Sequence, residues 1–289
     1  MEELTAGTVV KLEAVREADF GYFLSDGKTD VLLHKSECVS PVNIGDEVEV
    51  FLYSDKQGRL AATMRIPELR IGSYAWCEVV NSIPDLGVFV DIGIGKDILI
   101  HKDDLPKLER VWPKPGGKVY CTLKTDQNGR LLGKLATEPV MERLFKPADR
   151  KSFNKNVSGI VYRTLKTGTF IITDEGYRGF IHESQREKEP SIGERVDGRI
   201  IDVKTDGSVN VSLLKRGHEA LDEDAQSIYA YLEKRGGKMP YSDKSLPGEI
   251  EKRFSMSKGA FKRALGRLMK EGKVYQKDGW TYTKDLDKE

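Results

Sequence analysis

Short alternations of apolar and polar residues run through the chain as far as about Leu214. Alternation of this kind, broken by glycine-led turns, is typical of β-strands that bury one face. The same order of elements occurs three times: a glycine-led strand, a Gly-x-Phe element, an apolar run that ends in histidine, a second glycine-led strand and a tight hairpin. This internal repeat predicts three copies of one small β-domain.

The spacing inside the repeat is regular. The Gly-x-Phe elements contain Phe23, Phe89 and Phe170, and the histidines lie 11, 12 and 12 residues further on. These histidines are His34, His101 and His182. Each unit closes with a residue pair that tolerates positive φ in a tight turn, namely Gln57-Gly58, Asn128-Gly129 and Asp206-Gly207. Five short strands with such turns predict a small Greek-key barrel.

Helical spacing replaces the alternation after Leu214. Apolar positions then recur at i, i+3, i+4 and i+7, at Ala225, Ile228, Tyr229 and Leu232. A second, short helix is predicted with Ser245 as its N-cap and Pro247 in its first turn, and a third helix begins near Ser255 or Ser257. A hairpin around Asp278-Gly279 follows, and three helices before a hairpin predict a winged helix.

The predicted fold class is a mostly β, multidomain chain. Three tandem five-stranded barrels would occupy residues 1–65, 66–147 and 148–215. An α+β winged-helix domain would occupy residues 216–289.

Composition fits several ordinary cores, because 38% of the 289 residues are hydrophobic, 32% are charged and the mean hydropathy is −0.48. No stretch approaches the roughly 18 uncharged apolar residues that a membrane helix needs. Three single cysteines have neither zinc-site spacing nor the even count of a disulfide framework. We see no nucleotide fingerprint or nucleophile elbow, so we expect no cofactor, no metal and no catalytic residues. Without a membrane helix, we expect the protein to be cytoplasmic. We also expect a monomer.

Charge is unevenly distributed, although the net charge of the chain is only +1. Lys and Arg minus Asp and Glu gives −5 for residues 1–65, +1 for 66–150, +3 for 151–216 and +2 for 217–289. The C-terminal half is therefore the more attractive part for a polyanion.

Each repeat resembles the S1-type OB fold, first described in ribosomal protein S1 and also found in polynucleotide phosphorylase. The resemblance implies contact with single-stranded RNA through two strand aromatics, the histidine, and an Asp and an Arg around the last hairpin. The first unit matches all five positions, with Phe20, Phe23, His34, Asp55 and Arg59.

The other two units match this pattern less fully. The second unit keeps Phe89, His101, Asp126 and Arg130, with Leu86 where the first aromatic would stand. The third unit keeps Phe170 and His182, with Thr167, Lys204 and Ser208 at the other places. Arg178 and Lys204 are the candidate cations of the third unit.

Residues of these types suit unstacked bases. Side chains alternate along a strand, so a ring and a histidine on neighbouring strands can share one surface. Each stacked base is worth about 1 to 3 kcal/mol. Structural alternatives stay open: the glycines can serve strand curvature, the phenylalanines can face the core, the histidines can brace the barrel, and Asp and Arg can pair across the turn.

The third helix of the winged-helix segment has cations opposite its apolar side. The apolar positions are Phe261, Ala264, Leu265 and Leu268. The candidate RNA contacts are Lys258, Lys262, Arg263, Arg267 and Lys270. A basic helix can run along phosphates, although many charged faces are simply solvated and many winged helices contact proteins.

Three such barrels followed by a winged helix resemble the bacterial conserved virulence factor B family. The resemblance implies a non-catalytic RNA-binding protein that regulates gene expression post-transcriptionally, including that of virulence genes, with single-stranded RNA such as mRNA as its partner. Two alternatives remain. The chain could be a protein-interaction adaptor at the ribosome, RNA polymerase or an RNA-processing complex, or an enzyme accessory with cryptic nuclease activity.

Two features disagree about where RNA binds. The motif is complete in the first unit, whose net charge of −5 repels phosphate, whereas the third unit has the poorer motif and a net charge of +3. Phosphate attraction supplies most non-specific affinity, so we weight charge above motif. We expect the third barrel and the winged helix to carry most of the affinity.

Overall fold

The computed structural model describes residues 4–55, 57–215 and 217–284. The chain folds as two compact units that divide between Leu213 and Leu214. The first unit contains three closed five-stranded barrels, and the second contains three helices with a small sheet. This architecture confirms the predicted fold class.

The three barrels have one topology. Barrel 1 contains β1 (Val9–Ala18), β2 (Gly21–Ser25), β3 (Asp30–His34), β4 (Glu47–Ser54) and β5 (Leu60–Thr63). Barrel 2 contains β6 (Ala75–Ile83), β7 (Gly87–Asp91), β8 (Ile98–His101), β9 (Lys118–Thr125) and β10 (Leu131–Leu135). After the short helix α1 (Glu138–Met141), barrel 3 contains β11 (Asn156–Leu165), β12 (Gly168–Thr173), β13 (Arg178–His182), β14 (Arg195–Val203) and β15 (Val209–Ser212).

Each barrel closes in the same way. The first three strands form an antiparallel meander, the third strand pairs in parallel with the fifth, and the fourth strand returns beside the first. Side chains alternate between the two faces of a strand. Leu24, Val31 and Leu33 are fully buried in the core of barrel 1 and mark the inner face. Phe23 and Leu32, which pair across β2 and β3, therefore lie on the outer face.

A glycine and a histidine pair where the second and third strands meet. The pairs are Gly21 with His34, Gly87 with His101 and Gly168 with His182. A Cβ on these glycines would lie 2.3, 2.2 and 2.4 Å from the carbonyl oxygens of Leu33, Ile100 and Ile181 respectively. No side chain fits at such a distance, so each glycine has a structural role.

The barrels share part of their core. Phe51 on β4 of barrel 1 belongs to one apolar cluster with Val90 of barrel 2 and Ile171 of barrel 3. The backbone N–H of Lys118 in barrel 2 donates to the carbonyl of Gly193 in barrel 3 at 2.9 Å. Barrels 1 to 3 are therefore packed against one another.

The second unit has the element order of a winged helix. Its elements are α2 (Gly217–Lys234), β16 (Lys238–Met239), α3 (Pro247–Phe254), α4 (Lys258–Lys270), β17 (Val274–Lys277) and β18 (Trp280–Thr283). Ile228, Ile250, Phe261 and Leu265 are buried together between the helices. Ser257 is the N-cap of α4, since its hydroxyl accepts from the Ala260 N–H at 3.2 Å.

The predicted N-cap of α3 was wrong by one residue. Leu246 occupies the N-cap position, and its N–H donates to the Glu249 carboxylate at 3.2 Å. The Ser245 hydroxyl accepts instead from the Ser242 N–H at 3.0 Å. The preceding turn uses the serine, so a side chain from inside the helix satisfies the N-cap amide.

The close approach of β2 and β3 generates a stability prediction. Gly21→Ala should destabilise barrel 1 by about 2 kcal/mol or more, because the new Cβ overlaps backbone atoms. Gly27→Ala, in the same β2–β3 hairpin, is the control: nothing lies within 4 Å of its Cβ, so only its φ of 88° is unfavourable, at about 1 kcal/mol. Hydrogen exchange of barrel 1 amides in the full chain measures both. Equal protection in the two variants would contradict the steric account.

Candidate nucleic-acid interface

Each barrel presents its motif aromatic and histidine on one outer face. Residues that pair across antiparallel strands share a face, and so do residues two apart on a strand. The glycine–histidine pair therefore places the aromatic two residues after the glycine on the same face as the histidine. Phe23, Phe89 and Phe170 are only partly buried, and His34 and His182 are exposed.

The three histidines share a structural contact. Each is the N-cap of the 3₁₀ turn that follows its strand. The Ser36 N–H donates to His34 Nδ1 at 3.2 Å, and the Ser184 N–H donates to His182 Nδ1 at 3.2 Å. In a neutral ring, an accepting Nδ1 places the proton on Nε2, and that N–H can then donate to a further acceptor.

His101 has a different environment in barrel 2. Its Nδ1 lies 3.4 Å from the Asp103 N–H, but also 3.2 Å from the Asp103 carboxylate. The neighbouring Asp104 pairs with Lys124 at 2.5 Å. Asp103 therefore has a role in the turn, and Asp104, in the same turn, has an ion pair with a lysine of β9.

Barrel 1 brings together its two aromatics and an arginine that the sequence reasoning missed. The Phe20 ring, 50% exposed, lies 6.3 Å from the Phe23 ring in an edge-to-face contact. The guanidinium of Arg16 on β1 lies 3.8 Å above the Phe23 ring. Arg16 pairs with Phe23 just after a β-bulge. Arg59 is held by Asp55 at 2.7 Å.

Barrel 2 lines a cleft of about 730 Å³ together with the β4–β5 hairpin of barrel 1. Phe89, His101 and Arg130 all contribute to its wall, as do Leu86 and Leu99. Arg130 pairs with Asp126 at 2.8 Å. Hydrogen bonds from the Arg130 backbone and side chain keep the pKa of the Asp126 carboxyl below its ordinary value despite partial desolvation. The charged carboxylate thus fixes the hairpin and the arginine together.

Barrel 3 carries a continuous row of rings. Tyr162 lies 6.2 Å from Phe170, Phe170 lies 5.0 Å from Phe180, and Phe180 lies 6.4 Å from His182. Tyr162 and Phe180 were not among the predicted residues. The positions that correspond to Phe180 in barrels 1 and 2 are Leu32 and Leu99, since each pairs with the motif phenylalanine.

Cations border this row of rings. Arg178 lies 5.2 Å from the centre of the Phe170 ring, and Lys204 lies 5.9 Å from the centre of the Phe180 ring. These four side chains line a pocket of about 230 Å³. The candidate residues of the third unit are therefore assembled at one place.

Helix α4 divides its cations between two environments. Its predicted apolar positions are buried, which confirms the orientation of the helix. Lys262, Arg263 and Lys270 are exposed, and Lys258 is partly buried. Arg267 instead forms ion pairs with Asp222 of α2 and with Glu271, the latter at 2.9 Å.

In residues 4–55, 57–215 and 217–284, no three His, Cys, Asp or Glu side chains form a group that could hold a metal ion. Over the same ranges, no helix is both long and apolar enough to cross a membrane.

Four family models match the chain in the order of the observed domains. A general S1 domain model matches residues 6–65, and the CvfB first S1-like domain matches 74–134. The second domain of virulence regulatory factor CvfB matches 141–215, and the CvfB-like winged helix domain matches 226–282.

Similar proteins match along almost the whole chain. The uncharacterized protein YitL of Bacillus subtilis is 51% identical over 283 residues, 98% of this chain and 95% of YitL. Conserved virulence factor B of Staphylococcus epidermidis is 37% identical over 291 residues, 96% of this chain and 97% of that protein. A crystal structure from Streptococcus pneumoniae, described as a multidomain protein with nucleic acid binding domains, has a TM-score of 0.66 at 38% identity and covers 96% of this chain and 98% of that one.

The histidine cap can be tested apart from any ligand. His182→Ala should lose about 1 kcal/mol of local stability, because the Ser184 N–H loses its acceptor. His182→Asn keeps a side-chain acceptor and should lose much less. The protection of the Ser184 amide against hydrogen exchange reports the difference. Unchanged protection in the alanine variant would show that the cap does not hold the turn.

Proposed function

The chain belongs to the CvfB family of virulence regulatory factors, and on that premise we propose that it binds single-stranded RNA non-catalytically with its S1-type barrels and winged helix. The matched domains are of nucleic-acid-binding rather than catalytic types. The names of the family and of its relatives support a regulatory role. We propose cytoplasmic, post-transcriptional regulation, including that of virulence genes, with mRNA as the partner of a monomer.

The ring row of barrel 3 is the observation that carries this proposal. These partly exposed rings, tilted by 50° to 66° to one another, offer aromatic surface against which unstacked bases can pack, and cations beside them can hold phosphates. Barrel 3 also lies in the segment with a net charge of +3. Stacking and charge thus favour the same barrel as the principal contact, with the earlier barrels extending the path.

Barrel 1 supports a second candidate function. Its segment combines the complete motif with a net charge of −5 and exposes Val39 and Ile44, at 64% and 54%. An acidic surface with exposed apolar side chains suits a protein partner better than phosphate. An adaptor role at the ribosome, RNA polymerase or an RNA-processing complex would appear as a pull-down that survives nuclease treatment.

Phe180→Leu tests the stacking role, since leucine stands at the corresponding position of the other two barrels. The variant should keep the barrel folded and bind labelled oligouridine about fivefold more weakly or worse, because one stacked base is worth about 1 to 3 kcal/mol. Phe23→Leu in the acidic barrel 1 is the control and should have a smaller effect. Wild-type affinity in the Phe180 variant would contradict the proposed platform.

The winged helix generates a prediction about salt. Lys262→Ala should reduce the slope of log affinity against log salt by about 0.7, the value for one phosphate contact on a single strand. Arg267→Ala should leave the slope nearly unchanged, because Asp222 and Glu271 already neutralise that guanidinium. Identical slopes in wild type and the Lys262 variant would place α4 outside the RNA contact.

A further inference from the structure

The segment between barrels 2 and 3 lies across the ring-bearing face of barrel 3. The Phe145 ring is 5.8 Å from the Tyr162 ring and extends the row by one member. The Ala148 N–H donates to the carbonyl of Gly207, in the last hairpin of barrel 3, at 2.9 Å. The segment therefore follows the surface on which the proposed function places RNA.

The Glu138 side chain of this segment contacts the face through its charge. Its carboxylate accepts from Arg178 Nη2 at 2.6 Å, from Arg163 Nη1 at 3.0 Å and from the Tyr162 hydroxyl at 3.0 Å. The Glu138 side chain is only 18% exposed. One carboxylate thus engages two arginines beside the rings.

Barrel 1 shows the corresponding arginine without such a carboxylate. Arg16 and Arg163 occupy equivalent positions, because each pairs with the motif phenylalanine immediately after the bulge. Arg16 lies 3.8 Å above its phenylalanine, whereas Arg163 lies 5.9 Å from the centre of the Phe170 ring and pairs with Glu138. Among the described residues, no carboxylate lies within ion-pair distance of Arg16.

We propose that Tyr162, Arg163 and Arg178 form a phosphate site for the RNA backbone, and that Glu138 occupies this site in the free protein. The proposal rests on the proposed RNA-binding function and deepens it. A phosphodiester group offers the same negative charge and hydrogen-bond acceptors as the carboxylate. RNA binding then replaces the Glu138 carboxylate by a phosphate. Glu138 therefore competes with RNA for the site and weakens RNA binding.

The donors of the site suit a phosphate. Burial raises the pKa of Tyr162, so its hydroxyl stays protonated and available as a donor. Among the described residues, the buried Nε of Arg178 has no hydrogen-bond partner, so Glu138 does not use the whole guanidinium fork. An oxyanion that engages the fork through two oxygens would satisfy Arg178 more fully.

Removal of the carboxylate tests the proposal in the full-length protein. Glu138→Ala should bind fluorescein-labelled oligouridine about three to ten times more tightly than wild type at low salt, with a gain that shrinks as salt is added. Glu142→Ala is the matched control, since it removes the same charge from an exposed position of the same segment. The control should change affinity by less than about twofold.

A second variant covers the case in which the alanine substitution destabilises the segment. Glu138→Gln preserves the length of the side chain and removes its charge, so it should also tighten binding, with thermal unfolding as the check on the fold. Equal or weaker binding by both Glu138 variants, relative to Glu142→Ala, would overturn the phosphate site. If neither wild type nor any variant binds RNA, the proposed function fails and the site falls with it.

A double variant separates occupancy from general repulsion. In an Arg178→Ala background, Glu138→Ala should give little or no gain, because the site that Glu138 occupies has been dismantled. A gain of the same size in both backgrounds would mean that Glu138 acts only through long-range charge. That result would also overturn the proposal.

Discussion

In each barrel, the strand that bears the motif aromatic passes so close to the histidine strand that only glycine fits between them. A Cβ at Gly21, Gly87 or Gly168 would lie within 2.4 Å of a carbonyl oxygen. This approach fixes the register of the two strands, and the register determines which side chains face outward. The outward phenylalanine and the histidine that caps the next turn both follow from it. The candidate interface is therefore a consequence of backbone packing rather than an addition to it.

The sequence predicted the features that follow from a regular hydrophobic period and missed those that depart from it. Three barrels and the buried side of α4 follow from regular periods, whereas the sequence left open whether Phe170 faces outward or into the core. Phe180 escaped notice because it stands in an apolar run, although counting back two residues from His182 places it on the outer face. Tyr162 lies where a β-bulge shifts the face by one residue, which no alternation predicts. Glu138 contacts barrel 3 because the segment between barrels 2 and 3 packs against that barrel. Residue spacing along the sequence does not predict such a tertiary contact.

Net charge and structure independently favour barrel 3 as the principal RNA contact. Sequence reasoning favoured its segment because of a net charge of +3, despite a motif reduced to Phe170 and His182. The structure supplies rings where barrels 1 and 2 have aliphatic residues, with Tyr162 in place of a valine and Phe180 in place of a leucine. The poorest motif thus belongs to the barrel with the longest aromatic surface. By our proposal, the Glu138 carboxylate occupies part of that surface. The RNA affinity of barrel 3 then depends on how readily RNA displaces the carboxylate.

Photocrosslinking of thiouridine-containing single-stranded RNA to the full chain, mapped to residues by mass spectrometry, tests the central claim most directly. Crosslinks should concentrate on the ring row of barrel 3, at Phe170, Phe180 and His182, with fewer at Phe20 and Phe23 of barrel 1. Crosslinks that fall mainly on barrel 1, or that avoid the ring row altogether, would contradict the account.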